Sequence, residues 1–109
     1  MQRMGFMIQL RPVDIVEYKR IHRAVWSEIL DAIRKSNIRN YTIFLREPEN
    51  LLIAYWEYRG SDFAADMAKM REAPRMTDWW KITDPMQKPM ASCTPGEWWV
   101  PMENVFHTG

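Results

Sequence analysis

The sequence is poor in cysteine, histidine and glycine, and each shortage argues against one kind of site. Its 109 residues include one cysteine, two histidines and four scattered glycines. The single cysteine, Cys93, cannot form an intramolecular disulfide, so a reducing compartment is the simpler expectation. No group of histidine, cysteine and acidic residues has metal-ligand spacing, and there is no glycine-rich phosphate-binding loop. The sequence therefore predicts no metal site.

Long apolar runs and an excess of one charge are also absent. The apolar run from Gly5 to Leu10 is interrupted by Gln9 and is too short for a signal-peptide core or a bilayer span. The 15 basic and 14 acidic residues are interleaved, whereas nucleic acid or an anionic membrane requires a clustered basic patch. We therefore expect a cytoplasmic protein whose partner is neither nucleic acid nor a membrane.

Tryptophan and methionine, in contrast, are abundant. Six tryptophans and nine methionines occur in a chain long enough for one hydrophobic core. Large aromatic side chains bury much area, so a compact core or a dimer interface is the simplest explanation. The more specific explanation is a sugar pocket, in which indole faces pack on the C–H faces of a pyranose while polar groups bind its hydroxyls.

The spacing of apolar residues predicts an α+β fold. The predicted elements are a strand at 4–10, a helix from 12 to about 35, strands at 38–46 and 51–58, a helix after 60–62 interrupted at 73–74, a short helix from 75 to about 83, a loop at 84–96 and a strand at 98–106. The order β-α-β-β-α-β is the split βαβ, ferredoxin-like pattern, and residues 1–109 are expected to form one domain. The strand at 51–58 is apolar on both faces, which favours a second subunit as its outer cover.

The first helix carries a histidine in the middle of an apolar stripe. At about 100° per residue, five of its residues fall within roughly 80°: Tyr18, His22, Trp26, Ile29 and Ile33. An inward imidazole is either a buried structural residue or the acid–base group of a pocket. Tyr18 lies one turn before His22, and Tyr41 could face it from the sheet. This combination suits general acid–base chemistry on a hydroxylated substrate.

For the two pairs of adjacent tryptophans, the sequence predicts different side-chain directions. On a helix, Trp79 and Trp80 point about 100° apart, so one is expected in the core and the other at the surface or an interface. On a strand, Trp98 and Trp99 are expected to point to opposite faces. Cys93 is a weaker nucleophile candidate, because no histidine lies beside it in the sequence.

Several segments together resemble a known family. The residues that carry the likeness are 17–28 with the spacing Tyr-x3-His-x3-Trp, Asn40-Tyr41, 50–52, Trp79-Trp80 followed by Thr83-Asp84, and 103–106. As a set they resemble the L-rhamnose mutarotase family over nearly the whole chain. Ser27 stands where family members have proline, and the chain is longer around residues 97–101. Relatives with such departures include proteins assigned to L-fucose, so the resemblance leaves the sugar open.

The resemblance implies a fold, an activity and a set of site residues. It implies a dimeric α+β barrel, a homodimer with one sugar pocket in each mutarotase-like domain of residues 1–109. It implies that His22 is the acid–base residue and that Tyr18, Tyr41, Trp79 and Trp80 bind the monosaccharide substrate. Family members interconvert the α and β anomers of L-rhamnose without a metal or a redox cofactor, so no cofactor is expected.

The exchange of anomers requires two proton transfers. The ring opens when one group protonates the ring oxygen and another removes the anomeric hydroxyl proton. His22 is expected to perform one transfer, and a tyrosine or a second carboxylate the other. The alternatives are an L-fucose mutarotase, a cofactor-free monooxygenase on the same barrel, and a small-molecule-binding module.

Overall fold

Antiparallel strands and short helices make up the computed structural model, which describes residues 1–109. The strands are β1 (Gln2–Leu10), β2 (Ile38–Arg46), β3 (Leu51–Tyr58), β4 (Gln87–Lys88) and β5 (Val100–Met102). The α-helices are α1 (Ile15–His22), α2 (Ser27–Lys35), α3 (Phe63–Arg71) and α4 (Met76–Thr83), and two 3-10 turns cover Pro12–Asp14 and Asp84–Met86. None of the helices has the length and apolarity needed to cross a bilayer.

The pairing of the strands agrees with the predicted split βαβ pattern. The order is β2-β3-β1-β4, and β5 pairs with the same edge of β1 as β4 does, nearer the N-terminus of that strand. All the pairings are antiparallel. The α+β, ferredoxin-like topology is therefore confirmed. The alternating burial of β3 makes one sheet face the core side, where its buried residues are Leu52, Ala54, Trp56 and Tyr58.

The hairpin of β2 and β3 has the predicted bounds but contains a bulge. Between the pairs Arg39–Glu57 and Thr42–Tyr55, β2 holds one residue more than β3. The bulge contains Asn40, whose φ is 54°. Asparagine tolerates this left-handed conformation better than most residues do. Because of the bulge, Ile38 and Tyr41 lie on the same side of the sheet although three positions separate them.

The prediction of one helix from residue 12 to about 35 is wrong. The chain leaves the helix after His22, and Trp26 adopts an extended backbone (φ −58°, ψ 140°) from which α2 begins. The Trp26 indole packs edge-on against Trp79 at 5.3 Å between centroids, and the Arg75 guanidinium lies 3.7 Å from its ring centre. These contacts with distant residues outweigh the local helical pattern. The predicted stripe is therefore divided between α1 and α2.

The C-terminal part also differs from the prediction. The expected loop at 84–96 begins with a 3-10 turn and β4, which pairs through Gln87 and Lys88 with Leu10 and Gln9 of β1. The expected strand at 98–106 is reduced to β5. In its register with β1, Trp98 would face Gln9, which β4 already occupies, so β5 begins only at Val100. Residues 103–106 form no strand. Trp98 and Trp99 lie outside any strand.

Candidate active site

A cavity of about 470 Å³ opens between the helices and the core side of the sheet. The structure brings all five of the predicted site residues to it: Tyr18, His22, Tyr41, Trp79 and Trp80. They come from α1, β2 and α4, so the fold joins segments that are far apart in sequence. Most of the wall is apolar and carries a few polar groups, which is the usual composition of a small-molecule pocket.

His22 is the last residue of α1, and its ring is held on two sides. It stacks on Tyr18 at 4.0 Å between ring centroids and forms a T-shaped contact with Trp79 at 5.3 Å. Its Nδ1 lies 2.7 Å from the backbone carbonyl oxygen of Tyr18. A carbonyl only accepts hydrogen bonds, so Nδ1 carries the proton and Nε2 keeps its lone pair. Nε2 is therefore the ring nitrogen available to a ligand.

The surroundings of His22 favour the neutral imidazole. Burial lowers the pKa of His22 below its ordinary value of 6.5, and the hydrogen bond to the Tyr18 carbonyl opposes this by a smaller amount. The imidazole is therefore uncharged at neutral pH. A neutral imidazole with a free Nε2 can take a proton from a bound hydroxyl group.

The two tyrosines of the cavity keep their protons. Burial raises the pKa of Tyr18 well above its ordinary value, and a hydrogen bond from Gln87 lowers it by less. Burial also raises the pKa of Tyr41 to about 12. At physiological pH both hydroxyls are thus neutral and can donate hydrogen bonds to sugar oxygens.

Tryptophan rings form much of the remaining wall. Trp79 is buried against Ile29, Ala32 and Met76, while Trp80 is half-buried. The expected core position is confirmed for Trp79, whereas Trp80 is half-buried, and both rings also line the cavity. The prediction that Trp98 and Trp99 point to opposite faces is wrong, since both line the same cavity from outside a strand.

The sequence did not assign a site role to several polar residues of the cavity wall, among them Gln87 and Asp84. Gln87 is buried and bridges Tyr18 and Trp98 through hydrogen bonds. Its strand has only two residues, which is too short to give a periodic signal. Asp84 also lines the cavity, and burial raises the pKa of its carboxyl group. Its only signal was its place in the Thr83-Asp84 segment after the tryptophan pair.

The other candidate chemistry finds less support in the geometry. Cys93 is not part of the cavity wall, and its thiol donates to the carbonyl oxygen of Glu97 at 3.1 Å. No three histidine, cysteine, aspartate or glutamate side chains lie close enough together to hold a metal ion.

Comparison with known proteins gives a consistent result. The family described as L-rhamnose mutarotase matches residues 3–108. An L-rhamnose mutarotase of Oceanobacillus iheyensis is 30% identical over 107 residues, covering 98% of each chain. One of Listeria monocytogenes (serotype 4b) is 33% identical over 95 residues, covering 87% of this chain and 88% of its own.

Solved structures show the same fold. The crystal structure of an L-rhamnose mutarotase from Formosa agariphila superposes over 100% of both chains with a TM-score of 0.77 and 22% identity. A putative antibiotic biosynthesis monooxygenase from Nitrosomonas europaea has a TM-score of 0.61 at 14% identity, covering 98% of this chain and 92% of its own. At these identities the two structures support the architecture alone.

Proposed function

The chain belongs to the L-rhamnose mutarotase family, and on that premise we propose that it interconverts the α and β anomers of L-rhamnose. The observation that carries this proposal is the state of His22. Its Nδ1 is bound to the Tyr18 carbonyl, and its Nε2 lone pair is free in a cavity that also holds two protonated tyrosines. This arrangement supplies a base and hydroxyl donors without any further group.

The proposed reaction opens and recloses the sugar ring. Nε2 of His22 takes the proton of the anomeric hydroxyl, and the bond between C1 and the ring oxygen breaks with its electron pair going to that oxygen. The ring oxygen receives the hydroxyl proton of Tyr18. Rotation about the C1–C2 bond of the aldehyde presents its other face, and both proton transfers then reverse. Positioned acid–base groups contribute about 10²–10⁴-fold to such steps.

Sugar binding is assigned to the aromatic wall. Trp79 and Trp80 offer indole faces to the C–H groups of the ring, and the Tyr41 hydroxyl donates to a sugar oxygen. The cavity volume of about 470 Å³ accommodates a monosaccharide with bound water. Asp84 is the carboxylate at this wall and accepts hydrogen bonds from sugar hydroxyls.

The test is anomer exchange measured by NMR on L-rhamnose, with L-fucose beside it. We expect the wild-type protein to accelerate exchange of L-rhamnose, and His22→Gln to lower the enzymatic rate about 100-fold or more. His107→Gln is the matched control, because His107 is exposed and lies outside the cavity.

Three outcomes would contradict the proposal. Folded His22→Gln with the wild-type rate would exclude the assigned base. Faster exchange of L-fucose than of L-rhamnose would change the substrate. A protein that binds the sugar but leaves its exchange rate unchanged would be a binding module.

We also propose that the protein is a homodimer that associates through the outer face of its sheet. Three apolar residues, Met7, Ile53 and Phe44, form a cross-strand row on that face. Phe44 is 62% exposed, which is unusual for a phenylalanine in the middle of a strand. A second copy of the chain would cover this row.

A further inference from the structure

We propose that Gln87 is a positioning residue that directs the hydroxyl hydrogen of Tyr18 into the sugar cavity. This inference rests on the proposed function, because it concerns the donor that serves the sugar ring. Gln87 is 4% exposed and lies between two side chains of the cavity wall. Its Oε1 accepts from the Trp98 indole at 2.8 Å, and its Nε2 donates to the Tyr18 hydroxyl oxygen at 3.3 Å.

The chemistry of the three groups fixes the direction of this hydrogen-bond chain. An indole N–H only donates, so the amide oxygen of Gln87 must face Trp98. The amide nitrogen then faces Tyr18, and because it also only donates, the Tyr18 oxygen must accept. The hydroxyl hydrogen of Tyr18 cannot point toward Gln87. It makes no other hydrogen bond within the protein and is therefore available to a ligand.

The backbone around Gln87 holds the amide in place. Gln87 is opposite Leu10 in the pairing of β4 with β1. The N–H of Arg11 donates to the carbonyl oxygen of the neighbouring Met86 at 2.8 Å. The backbone that carries Gln87 is thus attached to β1. The indole that bonds its side-chain amide comes from the segment before β5. Three separate parts of the chain meet to orient one hydroxyl group.

An acceptor in place of the amide nitrogen would reverse this orientation. In Gln87→Glu, an ionised carboxylate accepts from Trp98 and also from the Tyr18 hydroxyl, which draws the hydroxyl hydrogen away from the cavity. When the new carboxyl group is protonated, it has one acceptor and one donor oxygen, as the amide has one acceptor and one donor. The substitution therefore acts as a switch controlled by pH.

The experiment measures the pH profile of L-rhamnose anomer exchange for Gln87→Glu relative to wild type. We expect kcat of the variant to be at least 10-fold below wild type at pH 8, and the ratio to recover as the pH falls toward 5. Dividing by the wild-type rate removes the titration of His22 from the comparison. A merely structural role of Gln87 would give a ratio independent of pH, and this result would overturn the proposal.

Two further variants control for packing. Gln87→Met fills a similar volume without either hydrogen bond and is expected to lower kcat at every pH. Wild-type activity in this variant would also overturn the proposal. Gln2→Glu is the matched control, because it is the same substitution at an exposed position of β1 that does not line the cavity. Its activity ratio is expected to be close to one throughout.

A binding measurement separates this inference from the proposed function. The six tryptophans report L-rhamnose binding through their fluorescence, whether or not exchange is accelerated. If wild type binds the sugar without accelerating exchange, the proposed function fails. The positioning role then stands if Gln87→Glu weakens binding at pH 8 and restores it at pH 5, and it falls if the affinity ratio is constant.

Discussion

At the scale of single residues, the charge of His22 decides the pH dependence. The base must be neutral, and burial lowers its pKa below 6.5. We expect kcat/KM for L-rhamnose exchange to be constant around pH 7–8 and to fall as the pH drops through the lowered pKa, when Nε2 becomes protonated. NMR exchange rates, corrected for the buffer-catalysed rate at each pH, provide the measurement. A rate that rises over the same acidic range would make the imidazolium the active form.

Part of this residue-level organisation could be predicted. The apolar periodicity brought His22 and Tyr18 to one face, and that part of the stripe is confirmed by their stacked rings. The roles of the five residues stay predictions. Gln87 could not be predicted, since its importance arises from the groups on either side of it, 69 and 11 positions away along the chain.

At the scale of elements, α4 depends on the contact of Met76 with α2. Met76 is 2% exposed and packs in one cluster with Ile29, Ala32 and Trp79. We expect Met76→Ala to lower the free energy of unfolding by about 2–5 kcal/mol, because it removes buried groups and leaves a cavity behind Trp79. Urea unfolding followed by fluorescence measures the change.

The conservative variant Met76→Leu tests whether the cavity causes this loss of unfolding free energy. Met76→Leu nearly keeps the volume and is expected to cost less than about 1.5 kcal/mol. Equal losses in the two variants would mean that the cavity is not responsible.

Whether an element could be predicted from the sequence depends on how far apart in the chain the residues that shape it lie. The bounds of β2 and β3 were predicted because alternation and turn residues are local signals. The break between α1 and α2 depends on Trp26 meeting Trp79 and Arg75, which lie about 50 positions away. The start of β5 depends on how β4 uses the edge of β1. No local pattern contains that information.

At the scale of the whole molecule, one side of the sheet holds the cavity and the other holds the apolar row. The cavity lies on the core side of the sheet, and its wall includes residues of α1, α3, α4, the 3-10 turn at Asp84, the sheet and the segment before β5. Association through the outer face would leave these residues in place. Oligomeric state and activity can then be measured separately.

The last prediction uses this separation. Phe44→Glu introduces a charge into the proposed interface, where its burial would be unfavourable, so we expect light scattering after size exclusion to shift from a dimer toward a monomer. Val13→Glu is the matched control, because Val13 is 88% exposed in the 3-10 turn after β1 and lies outside the apolar row. It is expected to leave the dimer unchanged. A wild-type monomer, or a Phe44→Glu variant that stays dimeric, would contradict an interface on the outer face. A folded monomer that keeps the exchange rate per chain would show that the second subunit covers the sheet without supplying groups to the pocket.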